Sequence, residues 1–151
     1  MTDSALPRSL LFVCGRNAVR SPVAERLARH LLPPPIFIAS AGVQVGEHDP
    51  FVDVVLAEEG FEPQERRPRT LDELEDDYFD LIVTLSPEAH HAALDLTRTL
   101  ASEVEYWPTV DPTATQGSRE QVLDAYRDMR DRLKARIRER FGLETGKIGN
   151  E

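Results

Sequence analysis

The chain has 151 residues, 40% hydrophobic and 30% charged, which fits one domain with a single core and a globular rather than a disordered or membrane class. Its net charge of −9 lacks the basic footprint that nucleic-acid binding requires. No apolar run approaches the roughly 20 residues of a membrane span, and the N-terminus lacks the apolar stretch and cleavage site of a secretory leader.

In chain order, Ser9 to Cys14 is short, apolar and partly β-branched, and reads as a strand buried on both faces. Gly15-Arg16-Asn17 breaks it. Ser21-Pro22 opens a helix, with proline where no backbone donor is needed. Val23, Ala24, Leu27, Ala28 and Leu31 form its apolar stripe, and Pro33-Pro34-Pro35 ends it. Ile36 to Ser40 reads as a second strand, with Ala41-Gly42 as the following turn. Pro50 to Glu59 reads as a helix, through Phe51, Val54, Val55 and Ala57, stopped by Gly60. Leu71 to Tyr78 is a short acidic helix or turn. Leu81 to Leu85 reads as a third strand. Pro87 to Leu100 reads as a helix with Ala89, Ala92, Ala93 and Leu96 inward. Val104 to Trp107 is a fourth strand, and Pro108 to Gly117 a loop. Ser118 to Phe141 is a long helix, with Ser118 and Gln121 in a capping-box pattern. Gly142 to Glu151 reads as frayed.

Strands alternating with helices imply an α/β fold, a parallel sheet flanked by helices on both faces. One domain is expected over residues 1–151, with its core at about 9–141, in the cytoplasm. In such a sheet ligands bind beyond the carboxyl ends of the strands. Two loops therefore matter: the one after the first strand and the one after the fourth.

The first loop is Cys14-Gly15-Arg16-Asn17-Ala18-Val19-Arg20-Ser21. It puts the only cysteine at a strand end and an arginine six residues later at a helix start. A loop this tight turns its N–H groups inward, and the helix N-terminus adds partial positive charge, so residues 15–21 make an anion cradle. The same field favours a thiolate, the form in which cysteine is a nucleophile. Arg20 offers a planar fork to two phosphate oxygens at once. Ser21 is placed either to donate to the sulfur or to cap the helix. Asn17 is placed to hold the loop through its amide, or to serve as a simple turn former. Residues 1–40 carry Arg8, Arg16, Arg20, Arg26 and Arg29 against Asp3 and Glu25, a local basic patch that suits a small anion. His30, His48 and the pair His90-His91 form no ligand set in sequence and read as surface or helix-end residues. No metal and no cofactor is expected.

Phe12-Val-Cys-Gly-Arg-Asn-Ala-Val-Arg-Ser-Pro22, with Ala24-Glu25, resembles the signature of the low-molecular-weight protein tyrosine phosphatases. Ser40-Ala41-Gly42, Asp80-Leu-Ile-Val83 and Asp111-Pro112 after Trp107 are similar to further stretches of that family, so the resemblance spans about residues 9–140. It implies a four-stranded parallel sheet in order 2-1-3-4 and metal-free hydrolysis through a phosphocysteine. Cys14 takes the place of the nucleophile, Arg20 of the phosphate clamp, Ser21 of the thiolate donor and Asn17 of the loop-ordering residue. The expected substrate is a phosphorylated protein, phosphotyrosine above all, or a small phosphate ester.

Asp111 lies in the loop past the fourth strand, on the same sheet edge as Cys14. There it is the expected general acid for the leaving group, or else a turn-initiating aspartate before proline. The chain departs from the family pattern in three places. Arg16 stands where the family has glycine, Val19 where it has a second cysteine, and Thr113 and Ala114 where it has aromatic residues. Trp107 and Tyr106 are expected in core packing. Two rival readings use the same cradle: an arsenate reductase that borrows an external thiol, since one cysteine cannot form an internal disulfide, and a phosphate- or phosphoprotein-binding module without turnover.

Overall fold

The computed structural model describes residues 6–62, 68–74 and 78–143. The chain runs β1 (Ser9–Cys14), α1 (Arg20–Leu31), β2 (Phe37–Gly42), α2 (Pro50–Ala57), a 3-10 turn (Leu71–Leu74), β3 (Leu81–Thr84), α3 (Pro87–Leu96), β4 (Glu103–Tyr106), a 3-10 turn (Pro112–Ala114) and α4 (Arg119–Arg140). The four strands form one parallel sheet in the order β2-β1-β3-β4, the order the resemblance implies. The expected acidic turn at 71–78 is a 3-10 turn as far as Leu74, and residues 75–77 lie outside the described residues, as does most of the segment read as frayed, 144–151.

Side chains alternate along β1 because successive Cβ atoms point to opposite faces. Leu10, Phe12 and Cys14 enter a core built with α1, α2 and α4. Leu11 and Val13 enter a second core with α3 and the Leu71–Leu74 turn. Burial on both faces is why β1 reads as an uninterrupted apolar run. It also fixes Cys14 on the α1 side of the sheet, at the C-terminal end of a central strand.

Several boundaries and faces differ from the sequence reading. β2 starts at Phe37 and continues through Ala41 and Gly42, because its ladder partners on β1 continue to Val13 and Cys14. Glycine therefore ends a strand here rather than making a turn. α1 starts at Arg20, with Val19 at the cap position and no capping side chain. α2 buries Val52, Val55 and Leu56, while Ala57 is exposed. α3 stops at Leu96, where Thr97 folds its hydroxyl back onto the Ala93 carbonyl. Only Ala89 and Ala93 of its expected inward set are buried, Ala92 is half-buried, and Leu96 is exposed. The capping box of Ser118 and Gln121 is formed at the start of α4.

Candidate active site

The loop from Cys14 to Arg20 is held from below by the segment after β2. The carbonyls of Cys14, Gly15 and Arg16 accept from the N–H groups of Val43, Gln44 and Gly46 at 3.1, 2.8 and 2.9 Å. In a trans peptide the N–H points opposite to its carbonyl, and no peptide bond here is cis. The N–H groups of Gly15, Arg16 and Asn17 are thus turned away from residues 43–46. The Asn17 N–H meets the Cys14 sulfur at 3.2 Å, which marks the sulfur side as the side they face.

Gly42 makes this close layering feasible. A Cβ at Gly42 would stand 2.6 Å from the Asn17 nitrogen and 2.7 Å from the Arg16 carbonyl carbon, both backbone atoms. Above that floor Asn17 takes φ +56°, a left-handed conformation that asparagine tolerates better than most residues.

The Asn17 side chain is buried and fully used. Its Nδ2 donates to Ser21 Oγ at 2.8 Å and to Ser40 Oγ at 3.0 Å. Its Oδ1 accepts from the Arg69 N–H at 2.8 Å. Ser21 Oγ lies 3.0 Å from Cys14 Sγ and 3.3 Å from the Ala41 carbonyl. Because it already accepts from Asn17, its one proton goes to the sulfur or to that carbonyl. Ser21 is therefore not the helix cap. Its hydroxyl lies between the sulfur and the Ala41 carbonyl. Asn17 is the loop-shaping residue rather than a bare turn former.

Behind this pair lies a layer that sequence reasoning missed. Ser40 is fully buried and donates to Glu25 Oε1 at 2.5 Å. Arg29, one turn along α1, holds the other Glu25 oxygen at 2.8 Å. A buried carboxylate is costly unless it is paired and hydrogen-bonded, and Glu25 is both. A glutamate on the apolar side of α1, facing the Ser-Ala-Gly end of β2, was the available signal.

α1 differs from the other long helices at its start. α2, α3 and α4 have side-chain caps from Asp49, Ser86 and Ser118 and an acid in the first turn, whereas α1 has neither. Its N-terminal partial charge is left for the loop. Arg20, the first residue of α1, sends its guanidinium across to the loop after β4. Nη1 donates to the Thr109 carbonyl at 3.0 Å, and Nη2 lies 3.8 Å from Asp111 Oδ2. Asp111 Oδ1 accepts from the Thr113 N–H at 3.0 Å and its hydroxyl at 2.7 Å. Oδ1 is thus occupied, and Oδ2 is the oxygen that faces Arg20. The side chain of Asp111 is 45% exposed and that of Arg20 15%.

Cys14, Asn17, Arg20, Ser21 and Asp111 therefore meet at one edge of the sheet. Arg16 is exposed at the rim, its stem against Gly46. Ala18 is half-buried and Val19 buried. Thr113 and Ala114 are exposed and present no aromatic wall. Trp107 is core, edge-on to Phe12 at 6.0 Å. Tyr106 is not core: it is partly exposed and stacks on His90 at 4.9 Å. His90 also meets the Thr84 hydroxyl at 2.9 Å, so it is half-buried rather than a surface residue. Nearby, Tyr126 donates to Asp49 Oδ2 at 2.6 Å. Burial, the Asp49 bond and the charges of Asp49 and Asp111 push its phenol well above the ordinary range, so it stays a neutral donor.

A parallel sheet whose central strand ends in a thiol, met by a loop N–H and a serine hydroxyl and faced by an arginine and an aspartate, defines the cysteine-dependent phosphatase class. The chain belongs to the low molecular weight phosphotyrosine protein phosphatase family, whose pattern it matches over residues 9–144. A curated relative, an arsenate reductase of Halalkalibacterium halodurans, is 30% identical over 140 residues, covering 91% of this chain and 96% of its own. Among solved structures, tyrosine phosphatase amsI of Erwinia amylovora is 24% identical, with a TM-score of 0.73 over 92% of this chain and 94% of that one. An arsenate reductase of Archaeoglobus fulgidus is 30% identical, with a TM-score of 0.68 over 88% and 98%.

Proposed function

We propose that the chain hydrolyses phosphate monoesters, protein phosphotyrosine in particular, through a covalent intermediate on Cys14. The thiolate of Cys14 attacks phosphorus while the bond to the ester oxygen breaks. The loop N–H groups of residues 15–20 and the fork of Arg20 hold the non-bridging oxygens, whose charge spreads in the transition state. Asp111 gives its proton to the departing oxygen. A water then attacks phosphorus, Asp111 takes the proton back, and the S–P bond breaks to release inorganic phosphate. The observation that carries this reading is the convergence on one sulfur of the Asn17 N–H, which donates at 3.2 Å, and the Ser21 hydroxyl at 3.0 Å, which turns its proton from the Ala41 carbonyl to the sulfur when the sulfur is anionic.

No helix among the described residues is long and apolar enough to cross a membrane. A single reactive thiol with no internal partner suits a reducing compartment, so we place the chain in the cytoplasm. The protein-bound or small-molecule substrate is a phosphate monoester, with no metal or cofactor taking part.

The test is hydrolysis of p-nitrophenyl phosphate and of a phosphotyrosine peptide. Cys14→Ser should abolish turnover. Asp111→Asn should lower kcat by about 100-fold or more on the peptide and by less on the nitrophenyl ester, whose leaving group needs little protonation. Turnover that survives Cys14→Ser would sink the mechanism, and no turnover on any ester would favour a binding module. The likeness to an arsenate reductase at 30% identity favours one further reading. There, Cys14 would form a sulfur–arsenate adduct, and two external thiols would be oxidised to a disulfide as arsenate becomes arsenite. Arsenite released from arsenate plus glutathione, with no ester turnover, would select it.

A further inference from the structure

Beyond the groups already placed, one carboxylate stands at the mouth of the phosphate loop with no assigned task. Glu88 is the second residue of α3, next to the end of β3, and β3 neighbours β1 in the sheet. Its Oε1 lies 3.0 Å from the point where a Cβ on Gly15 would sit, and Arg20 Nη2 lies 4.0 Å from that same point. Glycine at position 15 thus leaves room for this carboxylate to lean over the cradle. Among the described residues Glu88 makes no hydrogen bond and no ion pair, and it is exposed. Asp111 approaches Arg20 from the β4 side, while Glu88 reaches the Gly15 side of the cradle.

An acid in the first turn of a helix is an ordinary partner for the helix dipole. That role does not require the side chain to reach over the next strand's loop. For capture of a bare phosphate a carboxylate in this position is a handicap, since like charge weakens the site. It becomes useful as a discriminator, because it disfavours substrates with further negative charge and pairs with positive charge next to the phosphoryl group. We infer that Glu88 is a specificity-determining residue that selects phosphoryl substrates whose carrier places a cationic group beside the phosphate. The inference rests on the phosphatase reading above and names the substrate class for that site.

The chain's net charge of −9 attracts any cationic peptide, so a wild-type preference alone decides nothing. The measurement is the change in that preference on Glu88→Gln and Glu88→Lys. The probes are phosphotyrosine peptides of equal length flanked by arginines or by glutamates. In the wild type kcat/KM should favour the arginine-flanked peptide. Glu88→Gln should shrink the ratio by about threefold to tenfold, and Glu88→Lys should shrink it further or invert it, as expected for one charge at close range near a surface. The change should fade as salt is raised. Inorganic phosphate, measured by calorimetry, should bind several-fold more tightly to Glu88→Gln than to the wild type. A merely structural Glu88 would lower Tm and leave both readouts unmoved.

An unchanged ratio in both variants, with hydrolysis intact, overturns the inference and leaves the phosphatase reading standing. Absence of hydrolysis in the wild type overturns the phosphatase reading and, with it, the substrate class. Phosphate affinity equal in all three proteins shows that the carboxylate does not bear on the cradle and overturns the inference as well.

Discussion

At φ +56°, Asn17 combines two properties that no other residue type supplies together at this place. Its backbone enters the left-handed region at low cost, and its amide joins Ser21, Ser40 and the Arg69 N–H. These contributions separate experimentally. Asn17→Gly keeps the backbone conformation and removes the amide, whereas Asn17→Ala removes the amide and adds left-handed strain of about 1 kcal/mol. Both variants should lose kcat/KM on a phosphotyrosine peptide by about tenfold or more, because Ser21 loses the donor that fixes its hydroxyl. The alanine variant should unfold at lower urea than the glycine variant. Equal activity in wild type and Asn17→Gly would show that the amide network does not serve the chemistry. Cys14, Asn17, Arg20 and Ser21 were legible because they lie within eight consecutive residues between a buried strand and a helix. Ser40, Glu25, the Thr109 carbonyl and Glu88 were not assigned to the site. Ser40, Thr109 and Glu88 reach it from β2, the loop after β4 and α3, contacts that no local period marks, and Glu25, although on α1, acts through Ser40.

Elements impose the spacing within which those residues act. The ladder between β1 and β2 continues into residues 43–46, which hold the loop after Cys14 from one side. Strand count and alternation with helices were readable because the apolar runs are short and buried. The ends of β2 and α3 were not, since β2 is lengthened by its partner strand and α3 ends at Thr97, whose backbone leaves helical geometry. Gly42 looked like a turn because glycine in isolation suggests one. In the fold it marks a close approach of two backbones. Gly42→Ala should therefore displace the loop and cost about 1–3 kcal/mol by overpacking, with phosphate affinity falling at least tenfold by calorimetry. Gly60 serves as the control. It has φ +89° and nothing within 4 Å of an added Cβ, so Gly60→Ala should lose about 1 kcal/mol and keep full phosphate affinity. If Gly42→Ala binds phosphate like the wild type, the loop does not depend on that close approach.

The whole molecule is closed on one side by charge pairing between α2 and α4. Glu58, at the end of α2, accepts from Arg127 Nε at 3.1 and 3.0 Å and from Arg130 Nη1 at 2.8 Å. Arg127 also holds Glu120 and Asp124, and Arg130 donates to the Val55 carbonyl at 2.8 Å. The bonds from Arg127, then Arg130, hold the Glu58 carboxyl below its ordinary 4.5. Bonds to Glu58, Glu120 and Asp124 raise Arg127. Burial opposes the charge of Arg130, but its bonds to Asp131 and Glu58 prevail and raise it. Both arginines stay charged across the working range, so the pH dependence of this cluster rests on the carboxylate. A folded-state value below the unfolded one means that the folded protein resists protonation at Glu58. Its stabilisation is therefore complete above about pH 4.5 and disappears as pH falls through the lower folded value. Glu58 and Arg127 keep 34% and 26% of their side-chain surface exposed, so solvent screening keeps this contribution small. Glu58→Gln should unfold at lower urea than the wild type at pH 7, and the gap should close as the pH is lowered toward 3. A gap that persists or widens in acid would mean that Glu58 stabilises the α2–α4 junction by packing, and that its charge has no part in it.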